Sequence, residues 1–493
     1  MRDPDWLLDC TPREVQLEAL RRSYGGFSLR EDKNDAGCER VFRDGPDVGW
    51  GHYLQMRLGK TPTFLNEFEL FARDHGFKKA VVFSPNSYKE AWAGEASRLG
   101  ASVPWTVFES KGKKGTCESL KSAKGQFGLS VNYEALNTDF ARGLLPDVID
   151  KHTLVGVDES VKIKNHTSIQ SRAVRALAAQ AGAVRLLSGL PMVQGPQDLY
   201  PQLRSIRRVE GMNFYAFRNK YCKMGGFKGK QVKGAKNEEK LRAALSRCSF
   251  IAKKVDWGNE TGAEYHQEML TLPDALQKHY DSMLRDMKTE LSPEKEVTAE
   301  MVITKLIKLA QISSGFIIDD EKQTHLLCDP RKTPKMERLR EILEETQEKI
   351  VVAYVFQSSG DALAECLKAY QPAFIRGNQW MKNESRDVES EKQRFNNDPA
   401  SRVAIVQMVS GKYGHDLSGA EGDRCSKMVF FENTYSLDDR TQIEMRNTTA
   451  FQDWSNDYFD LVAGGVELLA AKALAHKKSV ADAVVRAIRR DEF

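Results

Sequence analysis

The sequence predicts an α/β protein built from two doubly wound parallel sheets, with helical insertions between them. Short apolar stretches bounded by turn residues lie at residues 78–87, 154–160, 184–191, 349–356 and 402–407, and patterns of helical spacing separate them. Strands that alternate with helices form parallel sheets, because a parallel neighbour needs a crossover connection. At 493 residues the chain exceeds what one hydrophobic core usually serves, which predicts two domains or more.

Composition excludes several classes of protein. Hydrophobic residues make up 41% of the chain and charged residues 29%, a balance typical of globular proteins rather than disordered or membrane ones. No apolar run approaches the roughly 20 residues of a spanning helix, and residues 1–6 do not begin a secretory signal, so we expect an intracellular protein. The eight cysteines are scattered without a C-x-x-C pair, which predicts reduced thiols. A net charge of +4 permits nucleic-acid binding without requiring it.

A glycine, a lysine and a threonine at residues 59–61 predict a cradle for the phosphates of a nucleotide. They follow a predicted strand and precede apolar residues at helical spacing. In such a loop the backbone N–H groups face the phosphates, Lys60 reaches the β- and γ-oxygens, and the hydroxyl of Thr61 binds Mg²⁺. The fingerprint G-x-x-x-x-G-K-[ST] is incomplete, because Leu54 stands at its first glycine. A turn before a surface helix explains the same residues equally well.

Two adjacent carboxylates, Asp158 and Glu159, end the apolar run that begins at residue 154. At the carboxyl end of a central parallel strand, Asp158 can hold Mg²⁺ while Glu159 polarises the water that attacks the γ-phosphate. The alternative is a strand that simply leaves the core into solvent. The glycine-lysine-threonine loop upstream favours the first interpretation.

Between residues 205 and 345 the pattern becomes helical and charged, and aromatic and basic residues alternate at residues 213–221. This alternation suits nucleic acid, since basic side chains bind phosphates and aromatic rings stack on bases. A solvated loop beside a helical bundle explains it as well. At the end of the chain, residues 470–490 predict a basic amphipathic helix that packs back on the core.

Taken together and in this order, the motifs resemble those of superfamily 2 helicases of the Swi2/Snf2 type, particularly the compact versions in bacteriophage genomes. The resemblance covers nearly the whole chain. It implies two RecA-like domains: residues 1–204 with motifs Q, I, Ia, II and III, and residues 346–493 with motifs IV, V and VI and the basic C-terminal helix. Residues 205–345 would form the helical insertion between them. It also implies ATP and Mg²⁺ as cofactors, with ATP bound between the domains, and double-stranded or branched DNA as the partner.

The resemblance also assigns roles to individual residues. The matched positions are Gln16 for adenine recognition, Gly59, Lys60 and Thr61 for motif I, Asp158 and Glu159 for motif II, residues 188–191 for motif III, residues 411–417 for motif V, and Gln442 and Arg446 for motif VI. Thr61 and Asp158 are then the expected metal ligands. The expected catalytic residues are Lys60, Asp158, Glu159, Gln442 and Arg446.

Two positions depart from the family pattern. Arg57 stands where many relatives carry glycine. More seriously, the pattern Q-x-x-x-R-x-x-R keeps Gln442 and Arg446 but has Thr449 at its second arginine. An arginine finger contributes about 10³ to 10⁵ in rate, so there are three interpretations: Arg446 suffices, Arg440 substitutes, or hydrolysis is weak.

The function implied by the resemblance is that of a DNA-dependent ATPase, a helicase-like translocase acting on duplexes or on branched replication and recombination intermediates. It would work in the cytoplasm, or in that of the host cell if a phage encodes it. Two alternatives stay open. A degenerate ATPase could serve as a DNA-binding or protein-interaction module, and a motor subunit could serve a nuclease-associated complex whose partner supplies the nuclease residues.

Overall fold

A computed structural model of the chain separates into two compact units, Met1–Asn259 and Glu260–Phe493. The structure describes residues 4–25, 48–55, 57–109, 120, 125–189, 191–192, 195–209, 211–225, 231–253, 257, 262–290, 299–376, 388–408, 416–420, 422–448 and 454–475. In these ranges no helix combines the length and the apolar character that crossing a membrane requires.

The first unit is organised around a seven-stranded sheet in the order β3-β4-β2-β5-β6-β1-β9, in which every neighbouring pair is parallel. Its described strands are β1 Gly49–Leu54, β2 Lys79–Ser84, β3 Trp105–Val107, β4 Phe127–Asn132, β5 Thr153–Asp158, β6 Ala183–Leu187 and β9 Ser249–Ala252, beside an antiparallel pair of β7 Cys222–Gly225 and β8 Gln231–Ala235. The central strands are buried along their length, which is why they read as continuous apolar runs.

Helices cover both faces of this sheet. They are α1 Glu14–Leu20, α2 Lys60–His75, α3 Lys89–Arg98, α4 Asp139–Val148, α5 Ile169–Ala178, α6 Leu199–Ser205, α7 Phe214–Tyr221 and α8 Glu238–Ser246. Successive residues of β2 face opposite sides: Ala80 and Val82 pack with the aromatic residues of α2, whereas Val81 and Phe83 belong to the core beneath α4 and α5. This is the predicted doubly wound arrangement.

The second unit has its own sheet of six parallel strands in the order β10-β19-β18-β13-β15-β14. Its described strands are β10 Ala263–Leu270, β11 Phe316–Ile318, β12 Thr324–Leu326, β13 Ile350–Tyr354, β14 Ala373–Ile375, β15 Val403–Gln407, β16 Gly419–Ala420, β17 Asp423–Arg424, β18 Lys427–Phe430 and β19 Asn456–Ala463. Its described helices are α9 Asp274–Glu290, α10 Ala299–Ser313, α11 Pro334–Glu345, α12 Gln357–Cys366, α13 Val388–Asn397, α14 Leu437–Glu444 and α15 Gly464–Ala475. The α/β fold class with two parallel sheets is therefore confirmed.

The segment between the two predicted domains differs from the sequence expectation. Within residues 205–345 the chain adds β9 to the first sheet and β10 to the second, in addition to the expected helices. The domain boundaries at 204 and 345 stay predictions, and the predicted C-terminal helix lies mostly outside the described residues, since α15 is described to Ala475.

Candidate nucleotide site

The phosphate loop runs from the end of β1 to the first residue of α2. Gly59 caps the helix in the left-handed conformation with φ 89°, which a residue with a Cβ adopts at a cost. A Cβ at this position would also lie 2.1 Å from Nε2 of Gln16, so the end of the Gln16 side chain would have to move. Arg57 also has a positive φ of 71°, which explains why glycine suits this position.

Lys60 and Thr61 occupy the first turn of α2, where backbone N–H groups have no intrahelical partner and attract anions. The ammonium of Lys60 donates to the carbonyl oxygen of Leu54 at 3.1 Å, so the lysine folds back over the loop. The Thr61 hydroxyl hydrogen-bonds the phenol of Tyr88. Burial, and then the negative charge of Asp158, raise the pKa of Tyr88 to about 12.

Gln16 of α1 is buried against this loop. Its Oε1 accepts from the backbone N–H of Arg13 at 2.7 Å, and its Nε2 donates to the carbonyl of Gly59 at 3.4 Å. The Arg13 guanidinium in turn donates to the carbonyl of Arg57. Residues far apart in sequence are thus joined at the loop.

Asp158 ends β5, and its side chain is held on two sides. Its Oδ2 accepts from the indole N–H of Trp92 at 3.3 Å, and its Oδ1 accepts from the backbone N–H of Glu159 at 3.0 Å. The phenol of Tyr133 donates to its backbone carbonyl at 2.5 Å. Glu159 itself adopts the left-handed region with φ 46°, an unusual conformation that turns the chain sharply away from the strand.

The positive charge near Asp158 does not offset the effect of burial and of Glu159 on its carboxylate. Burial, and then the neighbouring Glu159, raise its pKa to about 7, while Lys60 and the Trp92 hydrogen bond oppose that rise. Perturbed carboxylates of this kind are concentrated at functional sites. The influence of Lys60 on Asp158 also shows that the structure brings motif I and motif II together.

A glutamine that the sequence analysis did not single out links motif II to motif III. The hydroxyl of Ser160 donates to Oε1 of Gln202 at 2.7 Å, and Nε2 of Gln202 donates to the carbonyl of Pro191 at 2.7 Å. Separately, the Ser188 hydroxyl donates to Oε2 of Glu159 at 3.4 Å. Gln202 lies in α6, and a contact of this range leaves no local pattern from which sequence reasoning could have found it.

Beneath the phosphate loop lies a charge cluster formed by His52 of β1, Glu67 of α2 and Arg185 of β6, all without solvent exposure. Nε2 of His52 lies 3.0 Å from Oε2 of Glu67, and Nη2 of Arg185 lies 2.8 Å from its Oε1. Burial alone would raise the pKa of Glu67, but Arg185 and His52 outweigh it and hold the pKa at about 2. The cluster ties the phosphate-binding helix to the strand that precedes motif III.

The remaining site residues lie in the second unit. Gln442 is half-buried in α14, and Arg446 follows in a short 3₁₀ turn with 5% exposure. The carbonyl of Arg446 accepts from the N–H of Leu417 at 2.9 Å, which joins motif VI to the end of motif V. Residues 411–415 and Thr449 lie outside the described residues.

Arg440 has a structural environment rather than a catalytic one. Its guanidinium is fully buried, pairs with Asp460 and with Glu444 at 2.6 Å, donates to Asn433 and lies 3.4 Å from the centre of the Phe430 ring. These contacts fix Arg440 inside the second unit. They argue against the interpretation that Arg440 substitutes for the missing arginine.

The residues of the first unit suit a nucleotide and its metal ion. The Thr61 hydroxyl and the Asp158 carboxylate are oxygen donors of the kind that Mg²⁺ prefers, and the raised pKa of Asp158 shows that a cation would satisfy a charge the protein leaves uncompensated. Gly59, Lys60 and the N-terminus of α2 supply positive potential for phosphate oxygens.

Comparison with known proteins gives relatives of one kind. No protein-family model matches. SWI/SNF-related matrix-associated actin-dependent regulator of chromatin subfamily A-like protein 1 of Xenopus laevis is 24% identical over 275 residues, and its Drosophila melanogaster counterpart is 24% identical over 299 residues. These matches cover 54% and 59% of this chain but 26% and 35% of the relatives.

Among solved structures, the SWI2/SNF2 ATPase core of Sulfolobus solfataricus in complex with dsDNA aligns over 100% of this chain and 98% of that one, at 18% identity and a TM-score of 0.42. By contrast, the chain spans about a quarter to a third of the length of the curated relatives it matches. The predicted resemblance to superfamily 2 ATPases of the Swi2/Snf2 type is confirmed.

Proposed function

We propose that the chain is an ATP-hydrolysing motor that acts on DNA, as a translocase on duplexes or on branched intermediates. The observation that carries the proposal is the convergence of Gln16, Lys60, Thr61, Asp158 and Glu159 at one edge of the first sheet. A protein that only binds a partner needs no phosphate-binding loop. It also needs no buried carboxylate that can bind a metal ion, such as Asp158, next to a second carboxylate, such as Glu159.

In this proposal each residue has one task. Lys60 leaves the carbonyl of Leu54 to bind phosphate oxygens, and Gln16 exchanges its 3.4 Å contact with Gly59 for the adenine. Thr61 and Asp158 would hold Mg²⁺, which would supply positive charge to the site when bound. Glu159 orients the attacking water and accepts its proton. Gln442 and Arg446 stay the candidates from the second unit for contacts to the triphosphate.

The test is steady-state ATP hydrolysis with no nucleic acid, duplex DNA, branched DNA and RNA. We expect stimulation by DNA, and we expect Lys60→Ala and Glu159→Gln each to lower turnover by about 100-fold or more, the usual loss for a group that stabilises a transition state. Lys151→Ala is the control, since Lys151 is exposed at the opposite end of β5. Turnover that no nucleic acid changes would refute the motor.

A degenerate ATPase is the second candidate. Its support is Thr449 at the position of the second motif VI arginine, together with the burial of Arg440 by Asp460 and Glu444. For this candidate ATP and DNA bind but turnover is very slow. Thr449→Arg distinguishes the motor from the degenerate ATPase. If the missing arginine limits the rate, restoring it raises turnover by about 10³- to 10⁵-fold.

DNA is the proposed nucleic acid because the curated relatives are named as regulators of chromatin. We also propose a cytoplasmic location, that of a host cell if the gene is carried by a phage. Support for it comes from the six described cysteines, which are all free thiols.

A further inference from the structure

Helix α7 carries the alternating aromatic and basic residues, and its two faces differ. Phe217 and Tyr221 are buried in the main core of the first unit. Tyr215, by contrast, is 63% exposed, among the most exposed large hydrophobic side chains of the described residues. The outward face therefore presents an aromatic ring that the fold does not use for its core.

Neighbouring groups hold this ring and its surroundings in place. The ring of His166, from the loop after motif II, stacks on Phe214 with centroids 3.7 Å apart and an angle of 13°. Tyr200 contacts Phe214 edge-on at 5.6 Å. The guanidinium of Arg218 lies 5.4 Å from the centre of the Tyr215 ring and 5.7 Å from that of Phe214. These contacts hold the outward face of α7 in place without any partner.

The loop that carries His166 is equally well fixed. Arg175 donates to the carbonyl of His166 at 2.7 Å, and Oδ1 of Asn165 accepts from the N–H and the hydroxyl of Thr167 at 3.1 and 2.8 Å. Ser168 caps helix α5 through the N–H of Ser171. A preorganised surface loses little conformational entropy on binding.

Several arginine side chains lie near His166 and the outward face of α7. Arg175 and Arg218 both lower the pKa of His166, after burial, and Arg204 and Arg172 lie close enough to Arg175 to lower its pKa in the same way. In the described part of the chain none of these four arginines forms a salt bridge with a carboxylate. Arg218 lies beside the exposed ring of Tyr215 and Arg175 beside His166, and guanidinium groups in these positions complement a phosphate backbone.

We propose that this surface, the α7 platform, binds a nucleic-acid strand with unpaired bases. It is formed by His166, Phe214, Tyr215 and the guanidinium groups of Arg175 and Arg218. Tyr215 stacks on one base and the arginines bind the flanking phosphates. The inference rests on the proposed function and deepens it, because it places a single-strand contact on the unit proposed to bind ATP, and His166 of this surface lies seven residues beyond Glu159.

The test measures binding of the full-length protein to a single-stranded oligonucleotide that carries 2-aminopurine, whose fluorescence falls when the base stacks. We expect Tyr215→Ala to weaken binding by about 5- to 150-fold, the range for loss of one stacked base, and to abolish the quenching. Tyr215→Phe should retain both. Leu326→Ala is the control, because Leu326 is equally exposed at 64% and lies in the second unit.

The outcomes separate this inference from the proposed function. If DNA stimulates ATP hydrolysis and Tyr215→Ala binds the single strand as the wild type does, the platform is refuted and the motor stands. If Tyr215→Ala weakens binding only to fully paired duplex, the proposal that this surface binds unpaired bases is refuted. If the wild-type protein neither binds nucleic acid nor responds to it, both proposals fail. Tyr215 is exposed, so unfolding does not confuse the result, and thermal unfolding of the variant checks this.

Discussion

Replacing Glu67 by glutamine should destabilise the first unit strongly, although Glu67 never touches solvent or nucleotide. The change removes the carboxylate and leaves the buried guanidinium of Arg185 without its counterion. The pKa of about 2 lies about 2.5 below the ordinary 4.5, which at about 1.36 kcal/mol per pKa unit corresponds to about 3 kcal/mol. Breaking a buried ion pair usually costs about 3–5 kcal/mol, which agrees.

The sign of the pH dependence follows from the lowered pKa. A carboxyl whose folded-state pKa is depressed stabilises the fold above its unfolded pKa and loses that contribution as pH falls. The difference between wild type and Glu67→Gln should therefore be constant from pH 5 to about 8 and shrink as the pH falls from about 4.5 toward 2. At acid pH the wild type thus loses its extra free energy of unfolding over Glu67→Gln.

Amide hydrogen exchange of β1 and β6, read by mass spectrometry, measures this loss in the first unit alone. Glu69→Gln is a matched control, since Glu69 lies on the same helix at 8% exposure but, among the residues that the structure describes, accepts only from Ser102. The double variant Glu67→Gln with Arg185→Met should recover part of the loss, because it removes the uncompensated charge. A difference of less than about 1 kcal/mol between the two glutamine variants would refute the reasoning.

Three further substitutions test other parts of the structure. Gly59→Ala should weaken binding of a fluorescent ATP analogue by at least about 10-fold, since left-handed backbone costs about 1–2 kcal/mol and the methyl group meets Gln16; unchanged affinity would contradict this. Gln202→Leu should lower the DNA stimulation of ATP hydrolysis while the KM for ATP holds, because Ser160 and Pro191 lose their common partner; equal losses without DNA would indicate a purely structural role. Arg440→Met should lower the thermal unfolding temperature, at a cost of about 3–5 kcal/mol; an intact fold with lost turnover would instead make Arg440 catalytic.

Sequence reasoning found what local chemistry determines. Strands β5 and β13 were predicted because both faces of a central parallel strand are buried, so nearly every position before the carboxyl end is apolar or small. Strand β10 was missed because it lies at the edge of its sheet and carries polar residues at partly exposed positions. Its pairing with β19 joins residues nearly 200 positions apart, which no local pattern encodes.

The candidate site divides in the same way. Gly59, Lys60 and the carboxylates Asp158 and Glu159 stand in short local motifs, and the combination of the two motifs predicts phosphate chemistry. The partners of those residues do not. Tyr88 lies near Thr61 because it packs against the hydrophobic cluster that α2 lines, and Gln202 contacts Ser160 because α6 packs beside motif II.

The order of strands in the first sheet limits which parts of this unit can move. Strand β6 lies between β5 and β1, and hydrogen bonds join it in register to both, from Ala183 to Leu187 on one side and from Val184 to Leu187 on the other. It cannot slide against either neighbour without breaking a ladder of backbone hydrogen bonds. A displacement next to β6 must therefore occur outside the paired residues, for example in the segment that starts at Ser188, while the strands act as a fixed frame.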